Sequence, residues 1–209
     1  MGVQAIPVYT KLITPEDDLL EIIEKYASPQ LRKGDILVAA ETAVAISQGR
    51  LIRPEEIKPG LWALLISQFV DQDGSLSSPF ALQAVMNEEG TLRAILAFMI
   101  SSLTRVFLRR KGDFYRLAGK QAALIDDITG TVPPFDKFIV LGPQDPEKVA
   151  SAIKNRFGIE AAIIDANDLG RSQILAATEG VNRKLLLRVF KKNPAGNADQ
   201  QTPFVIVRK

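Results

Sequence analysis

The sequence predicts an α+β fold with mixed sheets and a helical insert, and three observations carry that reading. Two apolar runs, Ile36 to Ala40 and Ile159 to Ile164 (the latter broken only by Glu160), read as strands buried on both faces, because a half-exposed strand would alternate. Helix-start signals stand beside them, Thr14-Pro15-Glu16-Asp17 and Asp145-Pro146-Glu147. From about residue 59 to 103 the apolar spacing is helical only. The expectation is one domain over residues 1–209, with that helical stretch inserted between two strand-rich parts.

Element by element, Val3 to Val8 is a short strand. Thr14 is the expected N-cap of a helix whose apolar face runs through Leu19, Leu20, Ile22, Ile23 and Tyr26 and ends near Ala27. The strand Ile36 to Ala40 leads toward a small polar turn, Ser47-Gln48-Gly49-Arg50. Helices follow at Trp62 to Val70, Pro79 to Asn87 and Leu92 to Leu103. The intervening Asp71-Gln72-Asp73-Gly74-Ser75 resembles a calcium loop only superficially, since the alternating ligands and closing Glu are absent.

The run Ala94 to Leu103, bounded by Arg93 and Arg105, falls short of the roughly 20 residues that span a bilayer and reads as a buried helix. Val106 to Arg109 and Phe114 to Ala118 read as a hairpin around Arg110-Lys111-Gly112-Asp113, a solvated basic tip. Gln121 to Ile125 is a strand leading to Asp126-Asp127. Phe138 to Leu141 is another, and Asp145 then caps a helix over Lys148 to Phe157. The strand Ile159 to Ile164 ends at Asp165-Ala166-Asn167-Asp168-Leu169-Gly170-Arg171. A basic helix near Val181 to Lys192, a loop over Asn193 to Thr202 and a strand Phe204 to Val207 close the chain.

Composition excludes whole classes of chemistry. Without cysteine there are no disulfides, thiolate zinc sites or cysteine nucleophiles. Without histidine the commonest general base and nitrogen metal ligand are missing too. Catalysis would fall to carboxylates, Lys, Tyr, Ser or Thr, and a metal would sit among oxygens, as magnesium, manganese and calcium do. The 26 basic and 24 acidic residues balance to +2, so no nucleic-acid or membrane partner is expected. Met1 to Val8 has neither a basic leader nor a long apolar core, which predicts a cytoplasmic protein.

Candidate sites cluster at strand ends. Asp126 and Asp127 could share a divalent cation with Asp165 and Asp168, as carboxylates do in many phosphate-handling sites. The competing reading, stronger on sequence alone, makes them turn formers and helix caps. Gly170-Arg171 could present a guanidinium to a phosphate or carboxylate, or could relieve and solvate a tight turn. Gly142 in "VLGPQDP" lacks the other glycines of a dinucleotide fingerprint.

In order along the chain, these pieces resemble the coenzyme F-420 gamma-glutamyl ligase family. "VQAIPV" and "EDDLLEIIEK" are similar to its opening strand and helix, and "KGDILVAAETAVAISQGRLI" to its strand and S-K-x-x-G-R segment. "GKQAALIDDITG" falls where that family has a strand leading into N-A-G-x-D-x-S-N. "FIVLGPQDPEKVASAIKNRF" resembles its L-L-P-x-D-P-D strand and helix, "AAIIDANDLGR" its I-I-x-D-T-x-G-R motif, and "TPFVIVRK" its I-P-V-V-x-V-R-G ending. The resemblance covers both ends of the chain around the helical middle. It implies a ligase-like fold and a GTP-dependent transfer of glutamate to the F-420 side chain. It further implies a manganese or magnesium ion if the protein is active, which relocated carboxylates Asp126, Asp127, Asp165 and Asp168 would have to hold, and nucleotide or substrate binding at Gly49, Arg50, Gly170 and Arg171. Family members pair through extended sheets, so a homodimer is expected, with the apolar surplus of Ala94 to Phe107 also in need of cover.

The departures are polar. Ala45 and Ile46 stand where the family pattern has Ser-Lys, and Gln48 where it has an acid before Gly-Arg. Counting back from Asp145 without gaps, Asp126 falls on the motif Asn and Gly130 on its metal-binding Asp. Asn167 and Asp168 stand for the Asp and Thr of D-T-x-G-R. The polar stretch beyond is missing, and Ser172 is expected to run almost directly into the last helix. Phosphoryl transfer rests on positioning and charge neutralisation, and each lost group typically costs several kcal/mol of barrier. The expectation is a catalytically impaired homologue that keeps a site's frame and can hold a small-molecule or nucleotide ligand. The rivals are a live ligase with relocated carboxylates, and a structural module whose helical insert docks a partner.

Overall fold

The computed structural model describes residues 2–70, 75–110, 112–126, 131, 133–166, 172–196 and 200–208. In chain order the elements begin with β1 (Gln4–Val8), α1 (Leu19–Ile22, continued by a π-helical turn over Ile23–Ala27), β2 (Ile36–Ala40) and α2 (Glu41–Ser47). Next come β3 (Leu51–Ile52), α3 (Leu61–Ser67), α4 (Pro79–Glu89), α5 (Thr91–Leu108), α6 (Asp113–Ala118), α7 (Lys120–Leu124) and β4 (Ile139–Val140). The last are α8 (Pro146–Phe157), β5 (Glu160–Ala166), β6 (Ser172–Ala177), α9 (Arg183–Phe190) and β7 (Phe204–Arg208). This is the α+β, mixed-sheet architecture expected. The chain divides into two compact units, one of Met1–Arg50 with Pro143–Lys209 and one of Leu51–Gly142.

The first unit is built on a five-stranded sheet in the order β1-β7-β2-β5-β6. β2 runs parallel to β5 and antiparallel to β7, while β6 returns antiparallel along β5. β2 sits at the centre, and its lack of alternation now has a cause. Leu37 and Ala39 pack with Ile22, Ile23 and Ile153 from α1, its continuation and α8. Ile36 and Val38 pack with Leu186 and Phe190 of α9. Both faces are covered, so both residue parities are apolar, at roughly 1.5–3 kcal/mol for each large side chain buried. At the sheet's other end Asp35 lies 2% exposed. It accepts the Arg32 N–H at 2.8 Å and two hydrogen bonds from Arg208, at 2.9 and 2.7 Å.

Three local expectations in this unit change. The first helix is capped by Asp18, whose Oδ1 accepts the N–H groups of Leu20 and Glu21, and not by Thr14. Thr14 instead donates to Asp17 Oδ2 through its N–H and hydroxyl, tying a turn ahead of the helix. Asp145 precedes α8 with φ 46° but makes no side-chain capping bond, since its carboxylate is turned to Lys148. Between Ser172 and the last helix lies a whole strand, β6, in place of the near-direct passage expected.

The second unit packs α3 to α7 and the two-stranded β3–β4 ribbon around Ile66, Leu76, Leu82, Val85 and Ile139. The predicted hairpin and strand between Val106 and Ile125 are helical. α5 runs on to Leu108 and stops at Arg109, in left-handed conformation at φ 51°. Gly112, at φ 82°, starts α6, and α7 replaces the strand at Gln121 to Ile125. Runs of five or six residues are too short to separate a period of 2 from one of 3.6, and a glycine turn between two of them imitates a hairpin.

The expectation of a buried helix at Ala94 to Leu103 also fails. α5 has 18 residues, long and apolar enough to cross a membrane by length and composition, and 11% of it is buried. Ala94 and Ala97 face the core, while larger residues such as Leu96, Met99, Leu103 and Phe107 stand outside.

Candidate functional site

The segment after β2 is helical up to its polar turn. β2 ends at Ala40 and α2 begins at once with Glu41, the Ala40 N–H being held by the Pro203 carbonyl at 2.8 Å. "ETAVAIS" followed by Gln48 and Gly49 is a helix with a stop, a signal legible in the sequence. Val44, Ala45 and Ile46 are buried, Ile46 at 4% exposure. The two positions matched to Ser-Lys are therefore wall.

Gly49 and Arg50 close the helix. The Gly49 N–H donates to the Ile46 carbonyl at 2.9 Å and the Arg50 N–H to the Ala45 carbonyl at 3.0 Å. Those are the paired bonds of a helix terminated through a left-handed residue, and Gly49 supplies it at φ 67°. The glycine is required by backbone conformation, since an added Cβ would meet only Pro15 Cβ at 3.9 Å. Just before it, the Gln48 side chain reaches the 143–145 segment. Its Oε1 accepts the Gln144 N–H at 2.7 Å and its Nε2 donates to the Gln144 carbonyl at 2.9 Å.

Register brings two acids to one edge. Ala40 of β2 lies opposite Ile164 of the parallel β5, so Glu41, the first residue of α2, and Asp165 of β5 each follow that paired position in the chain. The carboxyl ends of parallel strands are where open α/β sheets bind ligands. Glu41 is 6% exposed, and its Oε2 accepts the Thr42 hydroxyl at 3.1 Å. Burial pushes the Asp165 carboxyl above the ordinary carboxylate range. That Glu41 and Asp165 follow the same strand pairing is a matter of register and leaves no local signal in the sequence.

The other predicted site residues distribute differently. Asp126 belongs to the second unit, where its backbone exchanges two 2.9 Å hydrogen bonds with Val140. Asp165, Gly49 and Arg50 belong to the first. Asp127, Asp168, Gly170 and Arg171 lie outside the described residues, as do Gly130, Asn167 and Asp71 to Gly74 of the calcium-like loop. Among the described residues no three acidic side chains form a set that could hold a metal ion. Glu41 and Asp165 are the described acids next after the Ala40–Ile164 pairing, and a magnesium or manganese ion on so few carboxylates needs phosphate oxygens to complete its shell.

The profile of the family described as F420-0:Gamma-glutamyl ligase matches residues 7–167. A coenzyme F420:L-glutamate ligase of Methanopyrus kandleri is 26% identical over 176 residues, covering 82% of this chain and 61% of that protein. The coenzyme F420:L-glutamate ligase of Methanothermobacter thermautotrophicus is 30% identical over 178 residues, covering 82% of this chain and 62% of that protein. The chain thus spans less than two thirds of the length of either relative. With the matched profile running from the last two residues of β1 through the whole of β5, the chain belongs to the F420-0:gamma-glutamyl ligase family.

Proposed function

We propose that the chain is a catalytically impaired member of its family, keeping the fold and the frame of the site while lacking the charges that drive ligation. One observation carries this reading. The positions matched to the family's Ser-Lys are Ala45 and Ile46, 0% and 4% exposed in the wall of α2. A side chain packed there cannot meet a phosphate, and the neighbouring Gln48 is turned to Gln144. GTP-dependent ligation needs positive charge and a cation on the transferring phosphoryl group. The names of the two relatives specify the reaction to test, transfer of L-glutamate to coenzyme F420. Purified protein given F-420-0, glutamate, GTP and manganese should yield no glutamylated product by mass spectrometry. Product formation that disappears in Asp165→Ala would overturn the reading.

A second reading has its own support. Glu41 and Asp165 each follow the Ala40–Ile164 pairing of two adjacent parallel strands. One or two carboxylates plus substrate phosphates suffice for magnesium or manganese in many nucleotide-handling sites. In that case these two acids hold the cation and the protein is a live GTP-dependent ligase with a rebuilt site.

A further inference from the structure

α5 carries its large side chains on the outside. Toward its own unit it turns Ala94 and Ala97, 0% and 1% exposed. Outward it turns Leu92, Leu96, Met99, Leu103 and Val106, each between 48% and 73% exposed. A helix apolar on both sides is one made to be covered on both. The outer five follow one another at steps of four, three, four and three residues. At 3.6 residues per turn they stay within about 40° of one line along the helix. That is the spacing of a helix–helix seam.

A cavity adjoins the stripe. Phe69, Phe98, Val106 and Phe114 line part of a volume of about 570 Å³ in the same unit, with the rings of Phe69 and Phe98 5.8 Å apart. Val106 belongs to both the stripe and this wall, and Phe69 is 64% exposed. Phe107, next in the chain, is 77% exposed. A protruding aromatic ring and a preformed hole thus occur on one apolar surface, the combination from which the energetic centre of a protein interface is built.

We infer that this face is the contact between two copies of the chain, with α5 laid along α5 and bulky side chains of each copy seated in the cavity of the other. A stripe of one residue class at seam spacing is complementary to itself, so a two-fold pair covers it on both copies at once. A lipid surface requires neither the spacing nor the hole. Charge favours no anionic partner, because residues 51–142 carry as many acidic as basic side chains. Within them Arg93 pairs with Glu89 at 2.8 Å, and Arg110 and Arg116 with Asp113 at 3.3 and 3.0 Å. Such a neutral, apolar, well-indented surface is what permanent homodimers bury. The pairing is distinct from the sheet extension that the family resemblance implies, since it uses no strand.

Sedimentation equilibrium of the full chain tests this. Two chains of 22.9 kDa should travel together at micromolar concentration. Leu96→Lys with Leu103→Lys, at positions 48% and 56% exposed, should leave the circular dichroism unchanged and weaken association roughly a hundredfold or more. The chain has no cysteine, so Met99→Cys in the middle of the stripe reports on the contact itself. Mild oxidation should link two copies through it, whereas Arg183→Cys on α9 should give no linked pair. A parent chain that is monomeric at micromolar concentration would overturn the inference. So would a dimer that tolerates both lysines and leaves Met99→Cys unlinked, which would place the pairing on another surface. A monomer that floats with phosphatidylcholine vesicles would assign the face to a bilayer instead.

Discussion

Gln48 and Gln144 clasp one another through a single side-chain amide, which accepts the Gln144 N–H at 2.7 Å and donates to its carbonyl at 2.9 Å. Both ends of the amide are used, so the glutamine is not interchangeable with the acid that the family pattern carries there. Gln48→Glu keeps the acceptor and turns the donor into a second oxygen facing a carbonyl. The expected cost is about 1–2 kcal/mol in urea unfolding, with Gln48→Ala costing about 1 kcal/mol. Variants that unfold at the parent's midpoint would remove the clasp from the account.

Restoring the missing lysine should not restore a site. Ile46→Lys would place an ammonium where the native side chain is 4% exposed, and a buried lysine is destabilised in its charged form. A loss of about 3 kcal/mol or more is expected, with no gain in nucleotide affinity. A stable variant that binds GTP would mean that the position opens toward solvent.

Asp35 and Arg208 fasten the start of β2 to the end of β7. The Arg208 guanidinium, above all, holds the Asp35 carboxyl below the ordinary range, with the Arg32 N–H adding to the effect. Because the folded pKa is depressed, the stabilisation is full above the unfolded carboxylate value and is lost as pH falls through the folded one. Asp35→Asn should therefore cost about 2–3 kcal/mol at neutral pH, and the gap from the parent should close in acid. A gap that persists unchanged to low pH would assign the loss to packing.

Val38 is 1% exposed in the central strand, facing Leu186 and Phe190. Val38→Asp should lose about 4 kcal/mol or more and leave most of the chain unfolded, read by circular dichroism. A melt like the parent's would contradict the placement of β2.

What the sequence made legible follows burial. Ile36 to Ala40 and Ile159 to Ile164 announce themselves because both faces of each strand are covered, so both are apolar throughout but for Glu160 near the start of the second. β6 leaves no such mark, since Ser-Gln-Ile-Leu-Ala-Ala offers one β-branched side chain and mixed exposure. α5 was recognised as a helix and misplaced in the core, because an apolar run does not say what it faces. At the site, Gly49-Arg50 was visible as a motif, but its work as a helix stop depends on a positive φ and two backbone bonds. That Glu41 and Asp165 follow one strand pairing is set only by the parallel register of β2 with β5.

The central claim is that the frame of the site persists without its charges, and calorimetric titration of the purified chain with GTP and manganese tests it most directly. The account predicts no saturable heat at micromolar protein. Saturable binding at low micromolar affinity, abolished by Asp165→Ala, would contradict it and assign these carboxylates to a working metal–nucleotide site.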